Sequence, residues 1–190
     1  MQTKLRKKKE LLIYIDTNFI LDCTEGRNTD SVLLMDRIRE KKWKCVASVF
    51  SIMEISDVIK DGIFVTKKLQ KHWTINKILR DRYKKDLNVN DFEDVENYIR
   101  NKVLNAYPFI ILLNPSEAGW QTALHISAKS NLSAPDVIHL ATAWDANCNT
   151  FITSDDQILK SAKKIVKDIP KLKRIQVYTP SQFLKLINKK

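Results

Sequence analysis

Leu11-Leu12-Ile13-Tyr14-Ile15, followed at once by Asp16-Thr17-Asn18, is the stretch on which the reading of this chain turns. A short apolar run of this kind suits a strand covered on both faces, as in a parallel sheet. A carboxylate delivered to the C-terminal end of such a strand marks the usual binding edge of an open α/β sheet. Three further acids stand in comparable settings: Glu54, Asp136 and Asp155. Four carboxylates converging on one edge, in a chain with a formal net charge of +11, point to a divalent metal and a phosphate-bearing polymer.

Outward from that stretch, short apolar runs alternate with helix-period segments, the pattern of βαβ units. Strands are expected at about 11–15, 44–48, 109–113, 150–153 and 174–178. The run Phe109-Ile110-Ile111-Leu112-Leu113 is apolar on both faces and reads as a central strand. Helix starts are expected at Asn114-Pro115-Ser116-Glu117, with Asn114 as the cap and Pro115 in the first position. Ser133-Ala134-Pro135-Asp136 supplies a capping serine with Asp136 in the first turn. Thr179-Pro180 opens a last amphipathic helix carrying Phe183, Leu184 and Ile187. The fold class implied is α/β, one three-layer α/β/α domain over residues 1–190 with a mostly parallel five-stranded sheet.

Residues 56–107 break the tight alternation and read as a helical insertion or arm between the second and third strands. Its cations, Lys67, Lys68, Lys71, Arg80 and Arg82 among them, are interleaved with Trp73 and Tyr83. Two readings stand: contact with a nucleic-acid backbone, with Trp73 or Tyr83 stacked on an unpaired base, or a solvated face around a Trp anchor. Phe92, Val95, Ile99 and Val103 follow at helical spacing as a buried stripe.

Composition narrows the classes. A 44% hydrophobic and 29% charged chain folds into a core, and its length suits one domain. The basic balance favours polyanionic partners. Three widely spaced cysteines, Cys23, Cys45 and Cys148, show no zinc spacing and suit reduced, buried thiols in a cytoplasmic protein. The basic start, Lys4 to Lys9, is followed by too short an apolar stretch for a secretion signal, and no run reaches a membrane span. Three glycines cannot build a P-loop or a dinucleotide fingerprint.

Each acid has an ordinary reading beside the functional one. Asp16 and Asp155 can cap the helices that follow them. Asp136 can serve as a first-turn acid favoured by the helix dipole. Glu54 lies in the apolar context Val49-Phe50-Ser51-Ile52-Met53-Glu54-Ile55, where a charge is kept only if paired or ligated. Hard cations such as Mg²⁺ or Mn²⁺ select oxygen ligands and relieve the repulsion among clustered carboxylates.

The same residues carry a resemblance. Ile13-Tyr14-Ile15-Asp16-Thr17-Asn18 resembles the opening motif of PIN-domain proteins, and Val46 to Glu54 resembles the second. Asp136-Val137-Ile138-His139-Leu140-Ala141-Thr142-Ala143 resembles the third, and Phe151-Ile152-Thr153-Ser154-Asp155 the fourth. The resemblance spans about residues 11–178. It implies an endoribonuclease dependent on Mg²⁺ or Mn²⁺, with Asp16, Glu54, Asp136 and Asp155 as the acidic set and Asp16, Asp136 and Asp155 holding metal. Asn18 and Thr153 match supporting polar positions, and Asp156 competes with Asp155 for the fourth acid. Many members are toxins of toxin–antitoxin pairs (VapC-like), which implies RNA, single-stranded or structured, a small antitoxin and a homodimer as partners. About eighty residues separate Glu54 from Asp136, a departure from the compact toxins.

Two rivals remain. A haloacid-dehalogenase-type phosphatase needs a second aspartate where Asn18 stands. A non-catalytic RNA-binding or assembly module of the same fold would keep the shape without turnover. His139 reads as helix packing beside the site, or as support for the acids.

Overall fold

A computed structural model describes residues 11–189. Among these residues five strands form one parallel sheet: β1 (Leu12–Ile15), β2 (Lys44–Ser48), β3 (Ile110–Leu113), β4 (Thr150–Ile152) and β5 (Gln176–Tyr178). Their spatial order is β3-β2-β1-β4-β5. All five expected strands are present within two residues at each end. β1 lies at the centre, with Tyr14 opposite Val46 on one side and Phe151 on the other.

The period-two alternation of β1 builds two cores. Tyr14 turns to one face with Val46 and Phe151 and stacks on the Phe151 ring at 4.9 Å. That face is covered by α6 (Glu117–Ser127), α7 (Ala134–Asp145) and α8 (Asp156–Asp168). Ile13 and Ile15 turn to the other, with Cys45, Ala47 and Ile152. There they meet α1 (Thr17–Glu25), α2 (Thr29–Glu40), the start of α3 (Phe50–Gln70) and α9 (Pro180–Asn188). Cys23, Cys45 and Cys148 are free and buried, and burial pushes the Cys148 thiol up to about 12. No helix among the described residues is long and apolar enough to cross a membrane.

Three expectations are corrected. β3 is an edge strand, and Ile111 is half exposed; a doubly apolar run reports contacts on both faces, not a partner on both edges. The cap of α6 is Ser116, whose side chain accepts from Gly119 N, in place of Asn114. In the arm, Val95 and Val103 are buried but Phe92, on the first turn of α5 (Val89–Tyr98), is exposed; a π-turn follows at Ile99–Leu104. The caps at Ser133 and Thr179 form as expected, each as a reciprocal capping box. Residues between β2 and β3 do form helices: α3, α4 (Ile75–Asp81) and α5.

The approach of α6 to the end of α7 is set by Gly119. Asp145 accepts from Ser116 N at 2.6 Å and from Ser116 Oγ at 2.8 Å. A Cβ on Gly119 would meet Pro115 Cβ at 2.8 Å and Asp145 Oδ2 at 3.0 Å. The gain in helix propensity from alanine is under about 1 kcal/mol, and overpacking exceeds it. Gly119→Ala is therefore expected to lower the free energy of unfolding by about 1–2 kcal/mol, read as a shifted urea midpoint at unchanged slope; an unchanged or raised midpoint would refute the close-packing account.

Candidate active site

The strand order places the C-terminal ends of β1 and β4 side by side, and that edge carries the buried acid. Asp16 is 2% exposed. It caps α1 by accepting from Phe19 N at 2.9 Å, and its other oxygen accepts from the Thr153 hydroxyl. Thr153, fully buried at the end of β4, in turn accepts from Asp155 N at 2.8 Å. One hydroxyl thus ties the Asp16 carboxylate to the backbone at Asp155. Burial pushes the Asp16 carboxyl up; the bonds from Thr153 and Phe19 and the charge of His139 oppose this, and the charge of Asp155 adds to it. The result is a pKa of about 6.

A second network stands beside the first. Glu54, on the second turn of α3, accepts from the Thr17 hydroxyl and lies 2.7 Å from His139 Nε2. His139 Nδ1 lies 2.7 Å from the Tyr14 hydroxyl, itself fully buried. Burial, and then the charge of Asp16, hold the Tyr14 phenol well above its usual range, so it keeps its proton. Tyr14 and Glu54 thus hold the two ring nitrogens of His139 between them. Burial raises the Glu54 carboxyl, but the bonds from His139 and Thr17, with the charge of His139, outweigh it and hold Glu54 below the usual carboxylate range.

The remaining sequence-derived candidates are placed less centrally. Asp136 is half-buried, and its carboxylate turns back into the capping box of α7, accepting from Ser133 Oγ at 2.6 Å and Ser133 N at 3.3 Å. Asp155 caps α8 through Gln157 N at 2.6 Å and Ile158 N at 3.1 Å. Asp156 is exposed and faces Lys160 at 3.7 Å. Asn18 is exposed on the first turn of α1. Among the described residues no three His, Cys, Asp or Glu side chains form a metal-binding group. Asp16 and Asp155 fit a hard cation best: both offer carboxylate oxygen at the same strand edge, and burial leaves the Asp16 charge only partly compensated by its two donors.

The arm's cations are held by neighbouring carboxylates. Lys67 pairs with Asp91 at 2.6 Å, Lys68 with Asp86 at 2.7 Å, Arg80 with Asp81 at 3.3 Å, and Arg82 with Asp61. Lys68, itself buried, also lies 4.6 Å from the half-buried Trp73 ring, with Lys77 at 3.9 Å. Trp73 is thus an anchor for lysines, whereas Tyr83 is exposed. Lys71 is exposed.

The PIN-domain family model matches residues 13–164. The chain belongs to the PIN-domain family. No curated protein matches it. PIN domains are a nuclease-type fold, often ribonucleolytic and typically served by divalent metals. Within this PIN domain, Tyr14 and Thr17 are the functional neighbours that the sequence pattern does not single out. Their signal is a position flanking Asp16, but only the structure links them to His139 and Glu54.

Folded Asp16 keeps its proton to about pH 6, whereas an unfolded aspartate releases it near 3.8. The folded state therefore binds more protons between those values. Stability from the neutral buried carboxyl is full below about pH 4 and is lost as pH rises through 6. The loss approaches about 3 kcal/mol for two pK units. In chelator, Asp16→Asn is expected to gain stability relative to the parent as pH climbs from 4 to 7.5, followed by urea denaturation. A pH-independent difference would refute the buried-acid account.

Proposed function

We propose that this PIN domain is a Mg²⁺- or Mn²⁺-dependent endoribonuclease, with residues 1–190 acting as one domain and 56–107 as its arm. The observation that carries the reading is a buried carboxylate with a raised pKa at the strand edge, Asp16, held by the Thr153 hydroxyl, which also accepts from the backbone N–H of the neighbouring acid Asp155. Asp16 and Asp155 would hold the cation, with Asp136 joining them if it leaves its capping box. Asp155 is half-buried at the strand edge whereas Asp156 is exposed and faces Lys160, which supports Asp155 over Asp156 as the fourth acid. When bound, a divalent cation offsets phosphodiester charge and lowers the pKa of a coordinated water.

The chain's own residues supply the remainder. Thr153 and Phe19 N orient Asp16 so that its burial need not be relaxed at each turnover. His139 and Thr17 hold Glu54 in one orientation and keep it ionised. A carboxylate held that low is a dependable acceptor and a weak base, so Glu54 orients the attacking water more than it strips the proton. We propose RNA as substrate, a cytoplasmic location, and a VapC-like toxin role, with a small antitoxin and a second copy of the chain as the further partners.

One observation favours a second reading. Glu54 and Asp136 both turn their oxygens to internal donors, as suits a PIN-fold RNA-binding or assembly module without turnover. The two readings separate in a joint assay of Mn²⁺ binding and cleavage of a mixed RNA pool. The nuclease reading expects Mn²⁺ to raise the Tm of the parent and to support cleavage. Asp16→Asn is expected to lose the metal-dependent Tm rise and, at the low end for removal of a key charge-stabilising group, about 100-fold in rate. Parent protein that binds Mn²⁺ yet leaves every RNA intact would establish the module instead.

Glu54 and His139 yield a separate expectation. His139→Gln keeps a donor toward Glu54 but breaks the link to Tyr14, so cleavage should fall about 10-fold with the Mn²⁺ affinity held within about 3-fold. Glu54→Gln should cost more. Equal loss of metal affinity and rate in His139→Gln would show that the histidine serves the metal pocket as a whole.

A further inference from the structure

We propose that the outward face of α8 and the 3₁₀ turn after it, Lys160 to Arg174, is the surface that grips the phosphate backbone of the nucleic acid; the inference rests on the proposed RNA substrate and names where it lies. In sequence this stretch holds seven Lys or Arg and one acid, Asp168. The arm, by contrast, commits its cations to its own aspartates, with Lys84 and Lys85 also paired to Asp81 and Asp61. A cation with an acid beside it offers less to a phosphate, because that acid's charge offsets its own and repels the incoming anion.

On the α8 side the described cations meet mostly neutral acceptors, so their charge stays uncompensated. Lys171 Nζ donates to Thr122 Oγ1 at 3.0 Å and lies 4.8 Å from the Trp144 ring, and Arg174 donates to the Trp144 carbonyl. Lys129, from the neighbouring α6 side, donates to the Asp168 carbonyl at 3.4 Å. Lys164 and Lys173 are exposed. Lys160 faces Asp156 at 3.7 Å with both side chains about four-fifths exposed, a pair that water screens.

Topology aims this strip at the site. α8 is capped by Asp155, so it starts at the edge that carries Asp16. Its 13 residues run about 20 Å away, and β5, parallel to β4, begins at the far edge. Lys171 to Arg174, just before β5, therefore sit at the opposite end of the sheet. The positive strip spans the depth of the domain from the acidic edge downward, long enough for several successive phosphates.

The test compares two triple variants of the full chain, Lys160→Gln/Lys164→Gln/Lys173→Gln on the flank and Lys71→Gln/Arg80→Gln/Arg82→Gln on the arm. All six side chains are exposed, and thermal melts check that both variants stay folded. Fluorescence anisotropy with a labelled single-stranded oligoribonucleotide, in chelator so that nothing is cut, gives the affinity against salt. Each phosphate that is no longer neutralised lowers the salt slope by about 0.7 for a single strand. The flank variant is expected to show a slope smaller by about 2 and an affinity weaker by about ten-fold near 0.1 M salt, and the arm variant an affinity weaker by less than about three-fold. An unchanged flank variant, an equal weakening in the arm variant, or a parent that does not bind RNA would each overturn the assignment. Binding through the flank without metal-dependent cleavage would leave the assignment standing and sink the nuclease reading.

Discussion

A carboxylate buried at the end of the central strand is the constraint around which this molecule is arranged. Asp16 is almost completely covered, and an isolated buried charge is too costly to keep. The chain answers with two local donors, Phe19 N–H and the Thr153 hydroxyl. The first makes Asp16 the start of α1; the second pins β4 beside β1 at the edge that carries the candidate site. The pinning leaves the carboxyl partly compensated, since its pKa still rises to about 6. A cation or a proton relieves that residual imbalance. A mere helix cap has no need of it, because serine would serve as well.

A second constraint binds four elements through one ring. Tyr14 on β1, Thr17 on α1, Glu54 on α3 and His139 on α7 meet within hydrogen-bond reach. Both layers flanking the sheet therefore register against each other at this point. That gives His139 a duty beyond packing: through Nε2 it sets the orientation and charge of Glu54, and through Nδ1 it ties that orientation to the rigid centre of the sheet. The arrangement also explains how a glutamate persists in the apolar stretch around Ile52 and Ile55. Its charge is matched by two donors before any ligand arrives.

Much of this is legible in the residues. Continuous apolar runs mark β1 and β3, because a parallel sheet covered on both faces leaves no polar alternation to mislead; β2, β4 and β5 carry polar residues at their ends and are read more from their place between helix-period segments. Capping boxes at Ser133 and Thr179 are readable because both partners lie within three residues. What stays hidden is information that sequence carries only across long range. β3 cannot be told from a central strand, since edge position depends on which strand lacks a neighbour. Phe92 shares the helical spacing of Val95 and Val103 yet sits on the exposed first turn of α5, because spacing alone does not say where along a helix its neighbour begins. The use of acids as caps is foreseeable for Asp16, Asp136 and Asp155, while the Tyr14–His139–Glu54 link joins residues 125 and 85 positions apart and leaves no short-range trace.

Charge shows the same limit most sharply. A net +11 is a property of the sum, and the basic run at 67–85 is conspicuous because its lysines and arginines lie close together in sequence. Attraction to phosphate depends instead on which cations have no acid beside them in space. The arm folds so that Asp61, Asp81, Asp86 and Asp91 reach Arg82, Arg80, Lys68 and Lys67, while Lys71 stays exposed. The amphipathic α8 has its apolar side fixed by Ile158, Ala162 and Ile165 in the core, so Lys160 and Lys164, placed between those positions, face outward. Their positive field is an unavoidable product of helix period and composition, and it begins within two turns of the acidic edge.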